Sequence, residues 1–165
     1  MKSLDKKELK ELLHISWIIH DGMWFRHRLE ECGIEKTNKL NKAAMRSMAM
    51  IEIKRMKKAL GIEKTETFKE FKDFFEGVYE INNADFINLV CTFPSENFMH
   101  LEMPKCFAYE GMKMMGVIDQ YQCAVYHRIE AWFDSLEIKY SVTPQVDGCM
   151  MHTEGNCFRD FRFYF

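Results

Sequence analysis

The sequence predicts an α+β domain in which an antiparallel sheet is backed by N-terminal helices and a later long helix. Two observations carry this prediction. Residues 1–76 place apolar side chains at helical spacing between helix-ending glycines, so this part is expected to be mainly helical. Residues 77–165 mix short β-branched and aromatic runs with further amphipathic helix. At 165 residues and 47% hydrophobic content, we expect residues 1–165 to form a single domain.

The first two helices are predicted over residues 4–32 and 35–60. Leucines and tryptophans of the first segment fall mostly on one broad side, and Gly22 inside it is expected to mark a kink. Glycine commonly ends helices, so Gly33 and Gly61 are the expected stops.

A third helix is predicted over residues 68–75. Thr67 and Glu70 have the spacing of a capping box, and Gly77 is the expected end.

Five strands and two helices are predicted after Gly77. Strand segments are rich in β-branched and aromatic residues, and Asn, Pro and Ser mark the turns between them. The predicted strands cover residues 78–81, 86–93, 97–102, 138–143 and 158–165, and the predicted helices cover 106–115 and 119–136. Residues 144–155 are predicted to form a loop.

Charge and motifs narrow the classes of function. The net charge is −2, so no overall field favours nucleic acid or an anionic membrane. No signal-type apolar run follows the N-terminus, and residues 15–19 are too short to span a bilayer, which predicts a cytoplasmic protein with reduced thiols. Glycine-rich phosphate loops are absent, so no nucleotide cofactor is expected.

Three cysteines near the C-terminus form a candidate metal or reactive site. Cys149 and Cys157 bracket a short segment, and Cys123 has His127 four residues later. Thiolate and imidazole are the ligands that zinc prefers, so these cysteines are candidate ligands, with His127, His152 or Glu154 as candidates for a fourth. A thiol beside an imidazole is also a candidate nucleophile, and buried free cysteines are the simpler alternative.

One face of the first helix resembles the wall of a binding pocket. Trp17, His20, Asp21 and Trp24 share that face and combine aromatic area with titratable groups. Packing of both indoles at a helix boundary is the alternative. On the second helix, Glu52 and Arg55 are spaced for a surface ion pair, or for facing the pocket if the two helices pack together. The candidate pocket residues are Trp17, His20, Asp21, Trp24, Glu52 and Arg55.

Several short motifs carry a resemblance to known families. The segment 17–25, with Trp17, His20, Asp21, Gly22, Trp24 and Phe25, is followed by Gly-Ile-Glu-Lys at 33–36 and Lys-Lys-Ala-Leu-Gly-Ile at 57–62. Together they resemble uncharacterised bacterial and archaeal cytosolic proteins that are distantly similar to the L-2-amino-thiazoline-4-carboxylate hydrolase-like family. The ending 155–163 is similar to the closing strand of 4-vinyl-reductase-type small-molecule-binding domains.

The resemblance implies a ligand pocket between helices and sheet. In vinyl-reductase-like sensor domains zinc is held by three cysteines and a glutamate, which implies Cys123, Cys149 and Cys157 as ligands here. The glutamate of that pattern falls on Val146, so the fourth ligand departs from it. The hydrolase-like relatives imply ring opening of a small cyclic amide or amidine, although no residue here matches an established catalytic motif.

These observations give a leading hypothesis and two alternatives. The leading one is a cytosolic small-molecule-binding domain with a candidate zinc site. The first alternative is a hydrolase of small cyclic C–N bonds, with His20, Asp21, Cys123 and His127 as candidate catalytic residues. The second alternative is an interaction module that forms a homodimer through its Met- and Phe-rich surface, since the chain holds 13 Met and 14 Phe.

Overall fold

The computed structural model describes residues 2–165 and confirms the predicted α+β class. The helices are α1 (Lys6–Ala59), α2 (Phe68–Asn82), α3 (Phe107–Met114), a 3₁₀ turn (Ile118–Gln120), α4 (Val125–Ser135) and α5 (Met150–Glu154). The strands are β1 (Val90–Ser95), β2 (Phe98–Glu102), β3 (Lys139–Thr143) and β4 (Phe158–Tyr164). The four strands form one antiparallel sheet in the order β1-β2-β4-β3.

The long helix α1 consists of two arms that meet at Gly33. This glycine has φ 73° and ψ 170°, a conformation open essentially to glycine alone, so the helix is interrupted there. We call residues 6–32 the first arm and residues 34–59 the second arm. The expected stop at Gly33 is therefore confirmed, whereas Gly22 lies within uninterrupted helix and marks no kink.

Helix α2 corrects two predictions. The capping box of Thr67 and Glu70 is present, but the helix continues through Gly77 to Asn82, so the strand predicted over residues 78–81 is wrong. Gly77 serves close packing instead of ending the helix, because a Cβ atom there would lie 2.9 Å from a methyl carbon of Leu60. The sheet consequently has four strands in the described chain rather than five.

Other predicted elements shift their bounds. The strand expected over 86–93 begins only at Val90 and continues through Pro94, and the helix expected from residue 119 begins at Val125. The predicted loop 144–155 contains the short helix α5. These errors concern the bounds of elements and one short helix, because turn residues define where an element starts or ends less strictly than apolar periodicity defines the element.

The main core lies between one face of the sheet and helices α1, α2 and α4. Strand β4 alternates, so that Arg159, Phe161 and Phe163 point into this layer and Arg162 does not. Phe133 of α4 packs edge-on against both phenylalanines, with ring centroids 5.1 and 5.2 Å away. The smaller second cluster, which contains Phe25, Met112, Tyr121 and Cys149, fills the space near α3.

Candidate functional site

An apolar cavity of about 670 Å³ lies between the two arms of α1 and helix α3. The first arm contributes Ile18, Phe25 and Leu29, which repeat at helical spacing. Buried Tyr121 closes one side, and its ring meets that of Phe25 edge-on at 5.9 Å. The lining consists of Ile18, Ile19, Asp21, Gly22, Met23, Phe25, Arg26, Leu29, Glu30, Asn41, Met45, Phe107, Ala108, Gly111, Met112, Met114, Met115, Tyr121, Ala124 and Val125.

Charged side chains lie at the rim of this apolar cavity. Arg26 donates a hydrogen bond to Glu30 over 2.9 Å, and both side chains are more than half exposed. Asp21 also lines the cavity, and partial burial raises the pKa of its carboxyl group, against the opposing effect of His20 and Arg128. The polar groups are thus few and peripheral, an arrangement typical of sites for apolar small molecules.

The residues predicted to form a pocket separate into three environments. Asp21 lines the apolar cavity and, together with Trp24, a smaller adjoining one of about 290 Å³. His20 is exposed and accepts a hydrogen bond from the indole of Trp24 at 3.1 Å. Arg55 is exposed and lies in neither cavity.

Glu52 and Trp17 belong to a half-buried polar cluster around Arg128. Glu52 binds Arg128 of α4 and not Arg55, so the ion pair predicted within the second helix is wrong. The guanidinium carbon of Arg128 lies 5.0 Å from the ring centroids of both Trp17 and Trp132. This cluster connects both arms of α1 to α4, and we assign it a structural role.

The cysteines predicted to bind zinc are neighbours in the fold. Cys123 packs against both hydrophobic clusters, of which the main one contains Cys157 and the smaller one contains Cys149. Burial is the largest cause of the raised pKa of Cys149, and it raises that of Cys157 to about 11. Such thiols are mostly protonated at neutral pH, which disfavours nucleophilic attack.

A bound zinc ion does not fit the side chains as they stand. In residues 2–165 no three His, Cys, Asp or Glu side chains converge in a way that would hold a metal ion. His152 instead contacts Asp119 at 2.8 Å, and Glu154 is exposed. Zinc therefore stays a prediction, and no chemistry in this chain is derived from it.

Cys123 and His127 both line a third and polar cavity of about 190 Å³. Burial lowers the pKa of His127, with further lowering by Arg46 and Lys42 of the second arm. The catalytic candidates therefore divide between two places, with His20 and Asp21 on the first arm and Cys123 and His127 in this cavity. Buried Arg159 lines the same cavity but is not among the residues predicted from the sequence. Its alternation with Phe161 and Phe163 indicates that it faces the core side of the last strand.

The first arm carries many exposed apolar residues. Leu12, Leu13 and the cavity-lining Ile19 each keep more than half of their surface exposed, and Met114 at the cavity rim is 89% exposed. Exposed apolar area of this kind is compatible with a partner, and the homodimer stays a prediction. No helix within residues 2–165 has the length and apolar character needed to cross a membrane.

Comparison with known proteins gives a fold relative and a family. No functionally curated protein matches the chain. The fold is similar to that of a trafficking protein particle complex subunit 3 from Naegleria fowleri. The crystal structure of that protein shows it covalently bound to palmitic acid. The TM-score is 0.59 at 13% identity, over 97% of this chain and 98% of that chain. A family model described as "Family of unknown function (DUF6125)" matches residues 2–131, and the chain belongs to this family.

Proposed function

We propose that this protein binds a small molecule with a long apolar tail, such as a fatty acid, in the cavity between the arms of α1 and helix α3. The observation that carries the proposal is the cavity itself, with a volume of about 670 Å³ and walls of aliphatic, methionine and aromatic side chains. Sites for small molecules commonly have volumes of ~300–1,000 Å³ and mainly apolar walls. The cytoplasmic location expected from the sequence belongs to the same proposal.

The solved structure of similar fold supports an acyl ligand. That protein is covalently bound to palmitic acid, and its fold matches this chain over nearly its whole length. At 13% identity the likeness extends to the fold alone, so the ligand class has to be argued from the walls of this cavity. Those walls suit an acyl chain because its binding removes the apolar surface of the ligand and the apolar surface of the cavity from water.

The ligand is expected to bind without a covalent bond. The described residues that line the cavity include no Cys, Ser, Thr or Lys. The hydroxyl of Tyr121 is buried, accepts a hydrogen bond from the backbone N–H of Ala124 at 3.4 Å, and has a strongly raised pKa because of burial. Cys106 adjoins the lining residue Phe107, but burial raises its thiol pKa to about 12, which makes it a poor nucleophile.

Filling the cavity tests the proposal. Gly111 lies in α3 and lines the cavity, and a Cβ atom there would meet nothing within 4 Å. Gly111→Leu therefore places an isobutyl group into the open space while improving helix propensity. Ala43→Leu adds a leucine side chain at an exposed helical position outside the cavity and serves as the matched control.

The measurement is a titration of delipidated protein with the fluorescent fatty acid cis-parinaric acid, with palmitate as the competitor. We expect binding by the wild type and by Ala43→Leu, and an affinity lower by about tenfold or more in Gly111→Leu, since the tail and the new side chain compete for one space. Equal affinity in all three proteins, or no binding by the wild type, would refute the proposal.

A further inference from the structure

Arg159 is a buried cation on a face of β4 that otherwise carries apolar side chains. It lies on the core-facing side of β4 in line with Phe161 and Phe163, and only 3% of it is exposed. It is paired with Leu101 of the neighbouring strand β2. Removing an ionised guanidinium from water costs several kcal/mol unless an opposite charge and hydrogen bonds compensate.

The protein replaces only part of the hydrogen bonds that Arg159 would make to water. Within residues 2–165 it also provides no carboxylate in direct contact with the guanidinium. Its Nη1 atom donates to the carbonyl oxygen of Phe158 at 2.6 Å and lies 3.4 Å from the sulfur of Met150. The guanidinium carbon lies 4.6 Å from the ring centroid of Tyr126. In the part of the chain that the structure describes, no carboxylate lies within 4.0 Å of this guanidinium.

The guanidinium lines the polar cavity of about 190 Å³ that also contains Cys123 and His127. Helix α4 forms one wall, the loop between β3 and α5 another, and Lys42 of the second arm a third. Glu130 of α4 and Asp147 of the loop between β3 and α5 also line the cavity, and partial burial raises the pKa of the Glu130 carboxyl group. Arg159 and Glu130 line the same cavity and interact electrostatically, yet no ion pair joins them in the described residues, which leaves a gap of more than 4.0 Å between the buried cation and the half-buried acid.

We propose that this cavity binds a small carboxylic acid that also carries an amino or hydroxyl donor. The ligand carboxylate pairs with the guanidinium of Arg159, whose planar fork of N–H groups matches the two oxygens of a carboxylate. The donor of the ligand reaches the carboxylate of Glu130 on the other side of the gap. The ligand thereby supplies the counter-ion that the fold withholds from Arg159.

This second site is independent of the acyl ligand. None of Arg159, Glu130 and His127 lines the apolar cavity, and Gly111 and Phe25 do not line the polar one. A variant that fills the apolar cavity is therefore expected to leave the polar site intact. Failure of either proposal leaves the other standing.

The probes are L-alanine, propionate and ethylamine. Propionate is L-alanine without its amino group, and ethylamine is L-alanine without its carboxylate, so the three separate the two contacts. Binding to the wild type is measured by NMR titration, in which the backbone signals of Tyr126, His127 and Glu130 are expected to shift. We expect L-alanine to bind most tightly, propionate more weakly, and ethylamine not to bind.

Three variants locate the contacts. Arg159→Met puts an apolar side chain beside Phe161 and Phe163 on the core-facing side of β4. Proteins often tolerate the replacement of a buried charge by an apolar side chain of similar size. Arg162→Met is the control, because Arg162 lies on the same strand but is exposed on the opposite face. Glu130→Gln keeps the shape of the half-buried acid and removes its charge, so it tests the donor contact without altering the sheet.

In Arg159→Met we expect the affinity for L-alanine and propionate to fall by about tenfold or more. In Arg162→Met we expect both affinities to stay unchanged. In Glu130→Gln we expect L-alanine to lose its advantage over propionate. Wild-type protein that binds none of the probes, equal affinity in Arg159→Met and the wild type, or ethylamine as the tightest probe would each overturn the proposal. Should Arg159→Met fail to fold, the Glu130→Gln result and the location of the NMR shifts decide.

Discussion

Glu52 of the second arm of α1 holds Arg128 of α4 through two hydrogen bonds of 2.9 and 2.5 Å. The side chains are only 19% and 13% exposed, so the pair is largely removed from water. The indole of Trp132 donates a third hydrogen bond to the same carboxylate at 3.0 Å. Asn82, the last residue of α2, accepts from Arg128 as well. One guanidinium therefore joins three helices that are distant in sequence.

We expect Glu52→Gln to lower the free energy of unfolding by about 3 kcal/mol, because it leaves a buried guanidinium without its counter-ion. Urea denaturation followed by circular dichroism measures the change. Arg46→Met is the matched control, since the Arg46–Asp134 pair at 2.8 Å also joins α1 to α4 but is 43% and 37% exposed. Its loss is expected to cost at most about 1 kcal/mol. Similar losses in both variants would contradict the structural role of the Glu52–Arg128 pair.

The buried thiols are expected to react slowly. Burial raises the pKa of Cys91 and Cys106 to about 12 and that of Cys157 to about 11, so little thiolate forms at neutral pH. Brief treatment with iodoacetamide followed by peptide mapping should label these three cysteines about a hundredfold or more slowly in the native protein than in urea. Rapid native labelling of Cys106 would contradict the inert role and revive the nucleophile hypothesis.

Zinc has a separate test in the protein purified without chelator. The sequence-based prediction is one zinc ion per chain, lost in Cys149→Ser, measured by elemental analysis. Absence of zinc from the wild-type protein would leave the three cysteines as free thiols. Cys91→Ser is the control, since Cys91 lies in β1 outside the thiol group. Zinc that survives in Cys149→Ser but not after unfolding would place the metal elsewhere.

Acid is expected to destabilise the protein partly through His127. Burial and the charges of Arg46 and Lys42 lower its folded-state pKa below the ordinary value of 6.5. A histidine with a depressed folded pKa contributes its full stability above pH 6.5 and loses it as pH falls through the folded pKa. His127→Gln should therefore show a smaller loss of stability between neutral and mildly acidic pH. His27→Gln, on the exposed side of the first arm, should follow the wild type.

Much of the fold follows from local signals, which are interactions and backbone preferences that involve residues only a few positions apart. The Thr67 capping box and the stop at Gly33 were recognised because a side-chain cap and a positive φ are properties of single positions. Residues 78–81 were assigned to a strand from their β-branched and aromatic character. Tertiary packing overrides that preference, since Gly77 allows α2 to continue against Leu60.

The sites depended on contacts that the sequence does not encode locally. Glu52 and Arg128 are 76 residues apart, so the nearer Arg55 was the only partner that helical spacing offered. The leucines of the first segment, including the cavity-lining Leu29, are predicted to share one apolar side, but periodicity cannot tell a filled core from a cavity. The prediction that Cys123, Cys149 and Cys157 share a zinc ion depends on how the segments before α4, α5 and β4 pack together, which spacing in the chain does not define.

Two glycines of α1 are expected to respond in opposite directions to the same substitution. Gly33 has φ +73°, so Gly33→Ala should lower the free energy of unfolding by about 1–3 kcal/mol. Gly22 lies in regular helix, and a Cβ atom there would meet nothing within 4 Å, so Gly22→Ala should stabilise the chain by up to about 1 kcal/mol. Urea denaturation of delipidated protein measures both, which removes any contribution from a ligand at the cavity that Gly22 lines. Destabilisation by Gly22→Ala would contradict this prediction. It would show that the first arm requires a residue without a side chain at this position, either for a close contact with a partner or for a bend of the helix in solution.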